Sequence, residues 1–149
     1  ADVGPLMTKI EVCADPAGRT AELVAETAKA AISSRGAFAI AIAGGSLVKM
    51  LGAMAQNSDM QWEKWHVAWV DERCVPHSDP ESNYGGAEKE WLSKVPIPKS
   101  QIYAIDEQLL KGLEVKAVAE AAAAEYQQRL RGISEAVLPR REGGAPAFD

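Results

Sequence analysis

Two cysteines, Cys13 and Cys74, are all that 149 residues contain. So sparse a complement excludes a disulfide framework and suits a reducing compartment. Cys74 and His77 have a C-x-x-H spacing, but no second pair follows, which argues against a zinc site. Basic residues are outnumbered, 16 Lys and Arg against 21 Asp and Glu. The net charge of -5 weighs against a nucleic-acid partner and against an anionic membrane surface. An anionic small ligand would need a local cluster of cations. No apolar run approaches the roughly 20 residues of a membrane-spanning helix, and no secretory leader pattern opens the chain. The P-loop spacing Gly-x-x-x-x-Gly-Lys and the dinucleotide fingerprint Gly-x-Gly-x-x-Gly are both missing. Neither an internal repeat nor a low-complexity tract stands out.

What is present is a globular composition, 47% hydrophobic and 25% charged, at a length that builds one domain with a real core. The stretch Phe38 to Met54 organises the rest. Phe38-Ala39-Ile40-Ala41-Ile42-Ala43 is apolar and partly β-branched, and two glycines and a hydroxyl follow. Leu47, Met50, Leu51 and Met54 then recur at i, i+3, i+4 and i+7. The pattern predicts a strand, a tight turn and a helix, with Ser46 at the N-cap. Gly44 and Gly45 remove β-carbons from the turn, so backbone N–H groups can approach a ligand. An open helix amino terminus attracts anions, and a phosphate is the natural candidate. The same residues also read simply as a βα turn with a good cap.

The remaining chain alternates strands with helices. Ala1 to Pro5 reads as a lead-in and Thr8 to Ala14 as a short strand. Asp15-Pro16 starts a helix that Gly36 closes, with Val24, Thr27, Ala28, Ala31 and Ile32 as its buried stripe. A strand from about Trp65 to Val70 follows. Its neighbouring tryptophans read as packing, and His66 as a structural histidine. Ser82 or Asn83 caps a helix to about Leu92, with Ala87 and Trp91 inward. Val95-Pro96-Ile97-Pro98 is a rigid break, and Gln101 to Ile105 is another strand. A long helix runs from about Glu114 to Arg131, with Val115, Val118, Ala122, Tyr126 and Leu130 inward. Pro139 to Pro146 reads as a mobile, basic loop. Alternation throughout predicts an α/β fold, a doubly wound and mostly parallel sheet flanked by helices, Rossmann-like in kind.

Asp71-Glu72-Arg73 falls directly after the strand at Trp65–Val70. Open α/β sheets place their ligand crevice at the carboxyl ends of strands. Three charges at such a point must be solvated, paired or used. A solvated loop with an internal Asp/Arg pair fits as well as a functional site.

Three motifs then converge in order and spacing. Ala43-Gly44-Gly45-Ser46, Trp69-Val70-Asp71-Glu72-Arg73-Cys74-Val75-Pro76 and Glu81-Ser82-Asn83-Tyr84-Gly85 resemble the 6-phosphogluconolactonase family. Ile97-Pro98-Lys99-Ser100-Gln101-Ile102 and the closing Pro146-Ala147-Phe148-Asp149 are similar to it as well. The related glucosamine-6-phosphate deaminases have Asp-Glu-Tyr where this chain has Asp71-Glu72-Arg73, so Arg73 favours the lactonase side. Ala43 departs from the family's frequent Ser and costs one hydroxyl donor. In the family, Phe-Asp opens a further strand that leads to the histidine held to be the general base. The resemblance therefore implies that residues 1–149 are the amino-terminal part of a larger lactonase-type domain, incomplete at the carboxyl end, with the base beyond this chain or on a complementing one.

The function implied is hydrolysis of 6-phospho-D-glucono-1,5-lactone to 6-phosphogluconate, a step of the pentose phosphate pathway. Hydrolysis by activated water needs a base, an oxyanion stabiliser and a phosphate clamp, and no metal or organic cofactor. Gly44, Gly45 and Ser46 are the expected cradle, Arg73 the bidentate phosphate ligand and Asn83 a sugar contact. Asp71 is expected to orient Arg73 or the missing histidine. Ser46 as nucleophile is disfavoured, since no Gly-x-Ser-x-Gly elbow occurs. The rival readings are an isomerase or deaminase of the same fold and a non-catalytic phosphosugar-binding fragment. The partner expected is a small phosphorylated sugar lactone, with no nucleic acid and no membrane. An acidic chain with two thiols fits the cytoplasm, while processing before Ala1 would equally fit a plastid or another organelle.

Overall fold

The computed structural model describes residues 10–110 and 115–149. The expected lead-in, Thr8 and Lys9 of the first expected strand, and the approach to the last helix through Glu114 lie outside the described residues. Among the described residues three parallel strands form one sheet in the order β1-β2-β3: β1 (Phe38–Ile42), β2 (Trp65–Trp69) and β3 (Ile102–Tyr103). Four helices flank it, α1 (Pro16–Arg35), α2 (Ser46–Ala53), α3 (Asn83–Glu90) and α4 (Val115–Gly132). The expected α/β architecture with a parallel sheet is what forms.

Local chemistry sets the helix limits. The Asp15 carboxylate accepts from the Gly18 N–H at 3.0 Å, and Pro16 fills the first turn of α1. Gly36 ends α1 at φ 83°, a left-handed value that favours glycine. Ala28 and Ala31 are buried on α1, with Ala21, Val24, Ala25 and Ile32 packed beside them. Thr27, expected in that stripe, is exposed, and its hydroxyl donates to the Leu23 carbonyl at 2.7 Å. On α4, Val118 and Ala122 are buried as expected, whereas Ala119 faces solvent.

The core is aromatic. Trp65 and Trp91 are fully buried, and Trp65 packs edge-on to Phe38 with ring centroids 4.6 Å apart. Trp62 lies 4.7 Å from Trp65, and Trp65 lies 6.0 Å from Trp91. The tryptophans are packing residues, as their positions in the sequence suggest.

Two expectations are corrected. Residues 10–14 form no strand, and Ile10 and Val12 are exposed at 84% and 94%. Alternation alone makes no strand without a ladder partner, and among the described residues none pairs with them. The expected strand Gln101–Ile105 is reduced to two residues because side chains take the backbone groups on either side. Gln101 donates its side-chain amide to the Trp65 carbonyl at 2.6 Å, while Arg129 takes the Ala104 carbonyl at 2.8 Å. The His77 ring lies 3.1 Å from the Ile105 carbonyl. The segment Pro139–Pro146 is a loop, as expected, anchored at Arg140. Arg140 donates to the carbonyls of Leu138, Leu130, Arg131 and Ile133, which closes the carboxyl end of α4. Beyond it, the Asp149 N–H donates to the Ala39 carbonyl at 3.0 Å, on the edge of β1 that β2 leaves free.

The carboxyl end of β2 has its own anchor. Trp69 points its backbone groups away from β1, where β3 has already ended. The Tyr126 hydroxyl stands in for the absent strand, accepting from the Trp69 N–H at 2.7 Å and donating to its carbonyl at 3.3 Å. Burial pushes the Tyr126 phenol up to about 12, so it stays a neutral donor at any physiological pH. This anchor fixes the point from which Asp71, Glu72 and Arg73 depart.

Candidate functional site

The turn after β1 is open. Gly45 is the N-cap of α2 at φ 75° and ψ -139°, a conformation essentially reserved for glycine, and no side chain caps the helix. Ser46, expected at the N-cap, is instead the first helical residue and is exposed. The reason is steric: a residue with a β-carbon cannot take the backbone angles this cap position needs. Gly44 is required for a different reason. A β-carbon there would overlap the Asn83 side-chain oxygen.

The turn before α3 is closed. Glu72 Oε1 accepts from the Asn83 N–H at 2.7 Å and from the Arg73 N–H at 2.8 Å. Its Oε2 accepts from the Tyr84 N–H at 2.7 Å and lies 3.3 Å from the Ser82 hydroxyl. Ser82 Oγ in turn accepts from the Gly85 N–H at 3.0 Å, the N-cap bond of α3. The first three N–H groups of α3, those of Asn83, Tyr84 and Gly85, are thereby satisfied within the protein. Sequence reasoning did not single out Glu72. Its signal was available, an acid eleven residues before the first helical residue of α3 in a loop that must return, but no short-range capping pattern contains it.

Asn83 joins the two turns. It is 6% exposed. Its Oδ1 accepts from Arg73 Nη1 at 2.5 Å, and its Nδ2 donates to the Asp71 carbonyl at 2.9 Å and to Asp71 Oδ2 at 3.2 Å. Asp71 Oδ2 lies 3.9 Å from Arg73 Nη1. Both the Asp71 and Arg73 side chains are about half exposed.

These elements border a cavity of about 770 Å³ at the carboxyl ends of β1 and β2. Gly44, Gly45, Arg73 and Asn83 line it together. Ser46 and Asp71, also expected at the site, are not among the lining residues. Two cations that the sequence reading missed are present, Lys49 from α2 and Lys89 from α3. Lys49 falls one turn after Gly45, which was a readable signal. Lys49, Arg73 and Lys89 supply the local positive cluster that an acidic chain needs to hold an anion, although Asp79, Glu81 and Glu90 share the rim.

Of the two histidines, His77 lines the cavity and His66 does not. His66 Nδ1 lies 2.9 Å from the Tyr103 hydroxyl, the two rings stack, and burial lowers the His66 pKa from its ordinary value. His77 ties the loop after β2 to the segment after β3. Its N–H donates to Glu107 Oε1 at 2.5 Å, and its ring packs 4.3 Å from Tyr84. Cys74 is exposed, and among the described residues no group of three or more His, Cys, Asp and Glu side chains could hold a metal ion.

A parallel sheet with an uncapped Gly-Gly helix start and an arginine at adjacent strand ends defines an α/β protein with a cavity at the strand tips. The particular family is shown by comparison. A family model described as glucosamine-6-phosphate isomerases/6-phosphogluconolactonase matches residues 14–149, and the chain belongs to that family. It is 45% identical over 114 residues to a rice protein (Oryza sativa subsp. indica) named "Probable 6-phosphogluconolactonase 3, chloroplastic", covering 74% of this chain and 32% of that protein. It is 37% identical over 134 residues to the Arabidopsis thaliana "6-phosphogluconolactonase 3, chloroplastic", covering 87% of this chain and 39% of the other. The solved 6-phosphogluconolactonase from Trypanosoma cruzi superposes with a TM-score of 0.75 at 26% identity, over 96% of this chain and 56% of that one. The chain thus spans about a third to a half of the length of the relatives it matches.

Proposed function

We propose that this chain is the amino-terminal, phosphate-binding part of a 6-phosphogluconolactonase that hydrolyses 6-phospho-D-glucono-1,5-lactone to 6-phosphogluconate. One observation carries the reading: the uncapped amino end of α2 and the Arg73 guanidinium belong to the same cavity. Backbone N–H groups at Gly45 and beyond give directional donors to phosphate oxygens, and the helix dipole adds a favourable field. Arg73 contributes a planar pair of donors that fits two phosphate oxygens. Lys49 and Lys89 add charge without fixed direction. Binding energy from the phosphate then orients the lactone ring, so that the ester carbonyl is presented away from the clamp.

The general base is assigned to a segment outside these 149 residues. The His66 ring is engaged with Tyr103, and the His77 ring lies 3.1 Å from the Ile105 carbonyl and 3.5 Å from Glu107 Oε2. The lactone is a strained ester, so activated water suffices and no covalent nucleophile is invoked. Several relatives named chloroplastic favour a plastid over the cytoplasm.

Calorimetry with 6-phosphogluconate and with gluconate tests the clamp. Binding of the first and not the second is expected, and equal binding of both would refute it. A spectrophotometric lactone assay separates turnover from binding. The second reading is phosphosugar binding without turnover. Binding without hydrolysis would support that reading. Ammonia release from glucosamine 6-phosphate would instead select a deaminase.

A further inference from the structure

We propose that Glu72 and Asn83 are positioning residues for Arg73, holding its guanidinium over the open turn of α2 without touching the ligand. The proposal rests on Arg73 as the phosphate clamp and extends it to Asn83 in the cavity wall and Glu72 behind it.

Arg73 has a long, half-exposed side chain that would otherwise sample many rotamers. Asn83 removes that freedom, with its Oδ1 2.5 Å from Arg73 Nη1. Asn83 cannot swing away to serve a sugar hydroxyl with its amide protons, because both are spent on Asp71. It also cannot retreat from the α2 turn, since Gly44 packs directly against it. The Asn83 amide therefore sets the distance between the guanidinium and the Gly44–Gly45 turn. Glu72 fixes where Asn83 itself stands. One carboxylate takes the Arg73 N–H on one side, and the Asn83 and Tyr84 N–H groups on the other. It is thus a strap between the start of the arginine's segment and the first turn of α3. The strap needs a carboxylate. A glutamine would place an NH2 group against a backbone donor, and an aspartate is one methylene shorter.

A plain helix cap would make the same bonds to α3, so the test must involve Arg73. Kd for 6-phosphogluconate is measured by calorimetry for the native chain, Glu72→Gln, Asn83→Ala and Arg73→Lys, and for each of the first two variants combined with Arg73→Lys. Each of the first two is expected to weaken binding by about tenfold, as loss of a locked side-chain position does. In the Arg73→Lys background neither weakens it further, because lysine cannot use the brace. Losses that simply add, or native affinity in both single variants, would overturn the proposal. Should Glu72→Gln fail to fold, Asn83→Ala decides alone, since it keeps every backbone donor to Glu72. The second readout needs no ligand. In nitrogen-15 spectra the Arg73 Nε–H signal, assigned by its loss in Arg73→Lys, should sit apart from free arginine and collapse onto it in both variants. A signal that stays in place overturns the brace. If the native chain binds no 6-phosphogluconate, the clamp reading fails, and this spectrum still decides whether Glu72 and Asn83 position Arg73.

Discussion

Two helices of eight residues, α2 and α3, begin at the same cavity, yet their amino ends differ in kind. The start of α3 is closed: Glu72 and Ser82 accept its backbone donors, and a carboxylate already occupies the favourable end of the dipole. The start of α2 is open, with glycine at the cap and no side chain in attendance. An anion drawn to this cavity meets a neutralised terminus on one side and an unsatisfied one on the other. The difference teaches that a helix amino end is a binding site only when the protein leaves it unfinished. The closed end has another use, because its cap fixes the residues that face the open one.

The comparison predicts that changes at α2, at Arg73 and at its Glu72–Asn83 brace cost affinity, while changes confined to the Ser82 cap of α3 or to the anchor of β2 cost stability. The largest effect is expected from Arg73→Ala. Loss of a charged, hydrogen-bonded contact should weaken 6-phosphogluconate binding by about 1.5–3 kcal/mol, roughly ten- to a hundredfold, with the melting temperature unchanged. Native affinity in that variant would remove Arg73 from the clamp. Gly45→Val should fail on both counts. A β-carbon at φ 75° strains the backbone by about 1–3 kcal/mol and blocks the turn, so ligand no longer raises the melting temperature.

Tyr126→Phe probes the anchor of β2 from which Arg73 departs. Leaving the Trp69 N–H and carbonyl without their partner should cost about 1–3 kcal/mol in urea unfolding. Ser82→Ala removes one bond from the closed terminus, and about 1 kcal/mol of stability should be lost with ligand affinity held within twofold. A large affinity loss from Ser82→Ala would erase the distinction between the two termini. The smallest effect concerns His66. Burial lowers its folded-state pKa, so below about pH 6.5 the unfolded chain takes up a proton that the native one refuses. Stability from this group is thus present above that pH and declines as the pH falls towards the lowered folded value. His66→Phe should flatten that part of the profile.

Much of this was legible in the chain. Apolar runs located β1 and β2, helical spacing and caps located the four helices of the described residues, and Asp15, Pro16 and Gly36 marked the ends of α1. Gly44, Gly45, Arg73 and Asn83 were readable as a set because each sits just after a strand or at the start of a helix. Ser46 was misplaced at the cap because sequence preference favours serine there, while the turn demanded glycine's backbone angles. The strand at residues 10–14 was over-read because alternation carries no information about a partner. Lys49, Lys89 and Glu72 were passed over because ordinary charged residues on short helices and loops resemble solvated ones until something is placed opposite them.

The sequence by itself determined the local elements, the parallel α/β class and the open glycine turn. These depend on hydrophobic period, on β-carbon sterics and on the neighbours of each residue along the chain. Only the tertiary structure decided which helix end is closed, which side chain holds Arg73 and what anchors the tip of β2. Those outcomes rest on contacts between residues distant in sequence, Glu72 with Tyr84, Gly44 with Asn83 and Trp69 with Tyr126. Such contacts exist only once burial of the tryptophan core has brought the segments together, because the core and not local preference sets the distance between them.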